Sequence, residues 1–173
     1  MAHRLLLLLL LPGCGAWAVN GDRFGKPTLC ELVKGSDVVS RATVVSAGVP
    51  RSMTFSAWPG TRVMETPIVV ELERDLRATL APGRHSMFVS APVRDGQLAT
   101  LQATTIGQGD FGWLFATKLD GVWLMADEGM LRSTDPTRFV SPVLDDSYDS
   151  EADFERALTD AMAKCPRVDQ FAR

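Results

Sequence analysis

Gly112-Trp113-Leu114-Phe115-Ala116-Thr117-Lys118-Leu119-Asp120-Gly121-Val122-Trp123-Leu124-Met125 is the stretch on which the fold turns. Two apolar, aromatic-rich runs flank Asp-Gly. That dipeptide suits a type I′ turn, whose two central residues both take positive φ. The reading is a β-hairpin with strands over 113–119 and 122–125. Asp95-Gly96 repeats the signal upstream, between strands expected over 85–94 and 97–106. Glu128-Gly129 marks a further turn into residues 130–133.

Working outward, residues 38–45 are rich in β-branched side chains and read as a strand. Pro67 opens another, in which Ile68, Val70 and Leu72 alternate with Val69, Glu71 and Glu73, one face apolar and the other increasingly charged. Between them, residues 46–66 read as a long loop with Trp58-Pro59-Gly60 as a turn inside it. A loop of that length is uncommon in a small domain and is a natural place to look for binding. Residues 29–34 form a short helix, with Leu29 and Leu32 on one side and Gly35 as its stop. The last element is helical over 151–165. Phe154, Leu158, Ala161, Met162 and Cys165 fall on one stripe, Arg156, Asp160 and Lys164 lie opposite, Ser150 with Asp153 offers a cap, and Pro166 ends it. The chain is therefore mainly β, with a short helix before the strands and an amphipathic helix after them.

A resemblance follows from this order. Leu32-Val33-Lys34-Gly35-Ser36-Asp37-Val38-Val39 leads into Arg41-Ala42-Thr43-Val44-Val45. Val69-Val70-Glu71-Leu72-Glu73-Arg74-Asp75-Leu76 precedes Pro82-Gly83, and Gly112-Trp113-Leu114-Phe115-Ala116 comes later. Over roughly residues 29–133 this resembles a broad group of secreted bacterial domains. These in turn are similar to the oligosaccharide/oligonucleotide-binding (OB) barrel of the tissue-inhibitor-of-metalloproteinase and netrin type. The resemblance implies a small antiparallel OB-like barrel; a β-sandwich would use the same strands. The inhibitors of that type grip a catalytic metal with a cysteine at the mature N-terminus. Here Cys30 would lie twelve residues into the mature chain, counted from Val19, which departs from that arrangement.

The first residues have the three parts of a secretory signal. Arg4 gives a positive start, Leu5 to Leu11 an unbroken apolar run, and Ala16-Trp17-Ala18 the small residues of a cleavage site. The apolar run is too short to span a bilayer core of about 30 Å. Residues 1–18 are thus read as a signal peptide, 19–28 as a flexible segment and 29–173 as one domain. Leu11-Pro12-Gly13-Cys14 offers an alternative, lipidation at Cys14 with anchoring to the envelope. Either way Cys30 and Cys165 remain as an even pair in an oxidising compartment and are expected to form a disulfide.

Removing Arg4 takes the net charge from −3 to −4, and no basic stripe exists, which argues against nucleic acid and anionic membrane surfaces. Arginine outnumbers lysine 14 to 4, and Asn20 and Tyr148 are the only residues of their types. That bias fits a GC-rich bacterial genome and so a periplasmic or secreted protein. Gly107-Gln108-Gly109-Asp110-Phe111-Gly112 matches the dinucleotide fingerprint in letters but leads into a strand rather than a helix, so it reads as a turn. Asp145, Ser147, Asp149, Glu151 and Asp153 alternate as in a calcium loop, yet Ser150 and Arg156 stand where glycine and glutamate are required. No cofactor or metal is expected. His85 is the one histidine past the signal, with no nucleophile elbow to serve it. The expected function is a non-catalytic binding or inhibitory module acting on an envelope or extracellular protein. The alternatives are a carbohydrate-binding module using Trp58 and a hydrolase built around His85.

Overall fold

The computed structural model describes residues 27–54, 63–94, 97–98, 106–133, 135–141, 144 and 146–168. Helix α1 (Leu29–Lys34) begins at Thr28, whose hydroxyl accepts from Glu31 N at 3.3 Å while the Glu31 carboxylate accepts from Thr28 N at 2.8 Å. Two of the orphan donors at this helix start, Thr28 N and Glu31 N, are thereby satisfied. Gly35 caps the helix, as the sequence implies, and Leu29, Leu32 and Val33 are buried.

The strands are β1 (Val38–Ala47), β2 (Arg51–Met53), β3 (Val63–Asp75), β4 (Gly83–Arg94), β5 (Gln97–Leu98), β6 (Phe111–Leu119) and β7 (Val122–Leu131). A separate pair, β8 (Phe139–Val140) and β9 (Ser147–Tyr148), precedes helix α2 (Glu151–Lys164). Five of the strands close on themselves: β1 pairs β3 and β6, β6 pairs β7, β7 pairs β4, and β4 returns to β3. Numbered along the chain these barrel strands run 1-2-3-5-4-1, an OB-like ring. Every neighbour is antiparallel except at the closure, where Phe88, Val89 and Ser90 lie parallel to Leu124, Met125 and Ala126.

The hairpin that decided the fold forms as read. Asp120 and Gly121 have φ of 48° and 83°, and Leu119 faces Val122 across the turn. Three stretches differ from expectation. Residues 46–66 are not all loop: β1 runs to Ala47, and β2 pairs with the first residues of β3, so β3 starts four residues before Pro67. Proline is tolerated inside β3 because the β1 ladder ends at Ala47 opposite Ile68, so no β1 partner is lost at Pro67. Glu128-Gly129 does not break the chain into two strands. Two steps along β6, from Leu114 to Ala116, match five along β7, from Met130 back to Met125, so the expected turn is a wide bulge within one strand. Finally, the strand expected over 97–106 is described only at β5, and Ile106 is buried outside any strand.

Alternation along β1 sorts the side chains into two cores. Val38, Ala42 and Val44 face the barrel interior with Ile68, Val70, Leu72, Met87, Val89, Leu114 and Met125. Val39 faces outward with Trp113, Phe115 and Leu131, and on this outer surface α1 and α2 dock. The α2 stripe is as expected: Phe154 and Leu158 are fully buried, with Ala161 and Met162 packed beside them. Phe154 stacks on Phe139 at 4.0 Å between ring centres and meets Tyr148 edge-on at 5.2 Å. Such pairs contribute about 0.5–1.5 kcal/mol each beyond area burial. Cys30 and Cys165 lie at disulfide-bonding distance with Cα atoms 5.7 Å apart, tying α1 to the end of α2.

Two aspartates lock the end of the barrel where the helices dock. Asp75 is buried, and its carboxylate accepts from Val39 N, Arg77 N, Thr79 N and Leu80 N at 2.7–3.1 Å. Asp37 accepts from Thr117 Oγ1 and Lys118 N, both at 2.9 Å, and pairs with Arg167 beyond α2. Burial and the Arg167 cation lower the pKa of Arg77, while Asp37 and Asp75 act to raise it.

Candidate functional site: a cleft between the barrel and the last helix

Where β6 begins, β7 ends and α2 starts, the outer surface opens into a cleft of about 400 Å³. Its floor is Gly112 and Trp113. Gly112 sits so close to β7 that a Cβ there would fall 2.4 Å from the Leu131 carbonyl oxygen, which only glycine avoids. Phe111 stands on the rim, 41% exposed although it is a large apolar ring, while Phe139 lines the cleft from the buried outer core. Arg132, Asp135, Arg138 and Glu151 supply the charged lining.

The charges are tethered from outside. Arg132 Nη1 is 2.9 Å from Asp110 Oδ1, and Arg138 Nη2 is 3.3 Å from Asp149 Oδ1. Glu151 is held by Arg41 Nη2 at 3.1 Å, and the same guanidinium lies 4.7 Å over the Phe111 ring. The segment that carries Arg138 is built on Ser133 and Asp135. The Ser133 hydroxyl accepts from Val140 N at 3.2 Å. The Asp135 carboxylate accepts from Thr137 Oγ1 and Thr137 N at 2.7 Å and from Arg138 N at 3.1 Å. These hydrogen bonds, chiefly the Thr137 hydroxyl, hold the Asp135 carboxyl below its ordinary pKa. At α2 the Ser150 hydroxyl accepts from Asp153 N at 3.1 Å and also meets the Asp153 carboxylate at 2.7 Å.

One group in this lining has no partner. Trp113 is only 4% exposed, and its indole Nε1 is buried with no hydrogen-bond acceptor. An indole N–H can only donate, and leaving a buried donor unmet costs about 1–3 kcal/mol. The lining sets two guanidinia, Arg132 and Arg138, and two carboxylates, Asp135 and Glu151, beside the exposed Phe111 ring.

The residues singled out in the sequence fall elsewhere or take other roles. Trp58, Pro59 and Gly60, and Cys14 with residues 1–26 as a whole, lie outside the described residues. His85 is half-buried on the β3–β4 side of the barrel, with Nε2 2.8 Å from the Ala81 carbonyl oxygen. The glycine-rich stretch 107–112 is a turn: Gly109 has φ 89° and donates to Val44 O at 2.8 Å, and Asp110 Oδ2 accepts from Gly107 N at 2.8 Å. Asp149 and Asp153 form ion pairs with Arg138 and Arg156. Trp123 is partly buried, with Lys118 Nζ 5.5 Å from its ring centre. Among the described residues no group of three or more His, Cys, Asp or Glu side chains is placed to hold a metal, and no helix is long and apolar enough to cross a membrane.

Sequence reasoning missed Phe111, Arg132, Arg138 and Phe139. Phe111 was visible only as a letter inside the glycine motif. Asp135-Pro136-Thr137 is a local turn signal that could have placed Arg138, since aspartate folds its carboxylate onto the backbone two residues on. Nothing local marks these four as neighbours. Compared with protein-family models, curated proteins and solved structures, the chain matches none.

Proposed function

We propose that the chain is an exported, non-catalytic binding or inhibitory module that acts on an envelope or extracellular protein and holds a short segment of it in this cleft. The observation that carries the reading is the exposed Phe111 ring on a cavity whose lining also holds Arg132 and Arg138. An apolar surface with a few fixed polar groups is what a small recognition pocket needs, and about 400 Å³ is at the lower end of the usual range for such sites. The apolar run of the leader, the Ala16-Trp17-Ala18 site and the Cys30–Cys165 pairing support export. The likeness to the tissue-inhibitor-of-metalloproteinase and netrin type supports the inhibitory form. Cys30 lies within α1 and is tied to Cys165, so inhibition would run through the cleft rather than through a metal-gripping N-terminal cysteine.

The test is selection of a random peptide library on the purified protein, followed by binding of the enriched peptides to Phe111→Asp. The expected result is enrichment of peptides whose affinity falls at least tenfold in the variant, while its unfolding midpoint stays at the wild-type value. Peptides that bind the variant equally well, or a library that yields no binders, would overturn the cleft as the binding site.

A further inference from the structure

Resting on that reading, we infer that the cleft selects an uncharged aromatic side chain of the bound segment and turns away charged ones. Each charged group of the lining is already compensated. Arg132 pairs with Asp110, Arg138 with Asp149 and Glu151 with Arg41, at 2.9–3.3 Å. The Asp135 carboxylate accepts from Thr137 N, Thr137 Oγ1 and Arg138 N. An anionic ligand group would have to share a guanidinium with its aspartate while Asp135 and Glu151 line the same cavity, and like charges oppose it. A cation meets Arg132 and Arg138 in the lining. It also meets Arg41, whose guanidinium lies 4.7 Å over the Phe111 ring and already fills the cation–π position there. A neutral side chain meets neither penalty.

What the cavity offers a neutral group is rings. Phe111, Trp113 and Phe139 all line it. Trp113 and Phe139 are buried and pack on Phe154, with ring centres 5.8 and 4.0 Å away, whereas Phe111 is the exposed member. Arg41 is held by Glu151 while it covers Phe111, so the ring is braced before anything binds, which lowers the ordering cost of binding. An incoming ring can stack on Phe111 or meet it edge-on, the arrangements that aromatic pairs prefer. An aliphatic side chain covers the same surface without that added attraction. The cavity of about 400 Å³ has room for one such side chain with its flanking backbone rather than for a folded surface.

The experiment is a two-dimensional ¹H–¹⁵N NMR titration of the whole protein, following the backbone amide signals of Gly112, Arg132 and Arg138. The probes are the N-acetyl amides of phenylalanine, para-carboxyphenylalanine, para-aminomethylphenylalanine and leucine, which vary charge and ring on one backbone. The expected result is saturable shifts of these amides with the phenylalanine probe and binding of each other probe at least fivefold weaker. Affinity for the phenylalanine probe should be no lower at about 1 M salt than at about 0.1 M, since no ion pair is screened. The shifts should vanish in Phe111→Ala, and nuclear Overhauser contacts from the probe ring to the Phe111 ring locate the probe without any variant. Either charged probe, or the leucine probe, binding as tightly as the phenylalanine probe would overturn the inference while leaving segment binding at Phe111 intact. No shift of these amides with any probe would overturn it outright, whereas library-selected peptides indifferent to Phe111→Asp would overturn the reading beneath it.

Discussion

Breaking the link between Cys30 and Cys165 is expected to cost the protein a large share of its stability. The two residues are 135 apart in sequence, so the bridge closes nearly the whole described chain into one loop. In the chain-entropy model a loop of that size is worth about 5 kcal/mol at 25 °C, and real bridges more often deliver 2–4 kcal/mol. Helix α1 gives reason to expect the upper part of that interval. It is only six residues long and buries three side chains, too few to hold a frayed end in place once the tether is gone. The contacts beside the bridge, Val168 N to Lys34 O at 3.0 Å and Arg167 to Asp37, depend on the same docking. Against a typical folding free energy of about 5–15 kcal/mol this is a major term. For a domain of this length each kcal/mol shifts the melting temperature by about 2–4 °C, so a fall of roughly 8–15 °C is expected. The assay is thermal unfolding followed by circular dichroism, with and without reductant, and of Cys30→Ser with Cys165→Ser. Mass spectrometry after alkylation verifies the thiol state. A midpoint unchanged to within about 1 °C in material proven reduced would refute the reasoning. Two alkylatable thiols in protein recovered from an oxidising compartment would refute it sooner.

Asp75→Ala removes one carboxylate from four backbone N–H groups, one of them on the fully buried Val39, and is expected to cost about 3 kcal/mol in urea unfolding. Glu73→Ala, at an exposed ion pair, should stay within about 0.5 kcal/mol, and equal effects for the two would show that the Asp75 network is not structural. Tyr148 is the one tyrosine, and burial, with Asp146 nearby, raises its pKa above the ordinary value of about 10. A folded pKa above the unfolded one means that the neutral phenol stabilises the fold below about pH 10 and that this contribution is lost as pH rises through the folded value. Absorbance titration of the phenolate should therefore give a midpoint above 10 in the native protein, falling towards 10 in denaturant; a native midpoint at or below 10 would contradict the packing of Tyr148 under Phe154.

What could be read from the sequence was what is local. Asp120-Gly121 announces its own turn, Thr28 and Ser150 announce helix starts, and the α2 stripe announces its buried face. Barrel closure is not local. The parallel seam of β4 on β7 joins residues such as Val89 and Met125, and no periodicity in either strand says which neighbour it will find. The start of β3 was obscured because Met64, Glu65 and Thr66 precede a proline, and polar letters before proline read as loop. Glu65 is nonetheless fully buried. Nothing local marks Asp37 and Asp75 as hydrogen-bonding centres, since half of what they accept comes from strands far along the chain. The cleft was illegible for the same reason: its lining comes from β6, β7, β8 and the start of α2, four elements that share no sequence signal.

The central claim is that this cleft binds a segment of a protein partner, and the affinity of library-selected peptides for wild type and Phe111→Asp tests it most directly. Phe111 is exposed on the rim, so its replacement leaves both cores intact and isolates recognition from folding. A loss of at least tenfold in affinity at an unchanged unfolding midpoint is the predicted result. Equal affinity for the two proteins would place binding elsewhere and contradict the account.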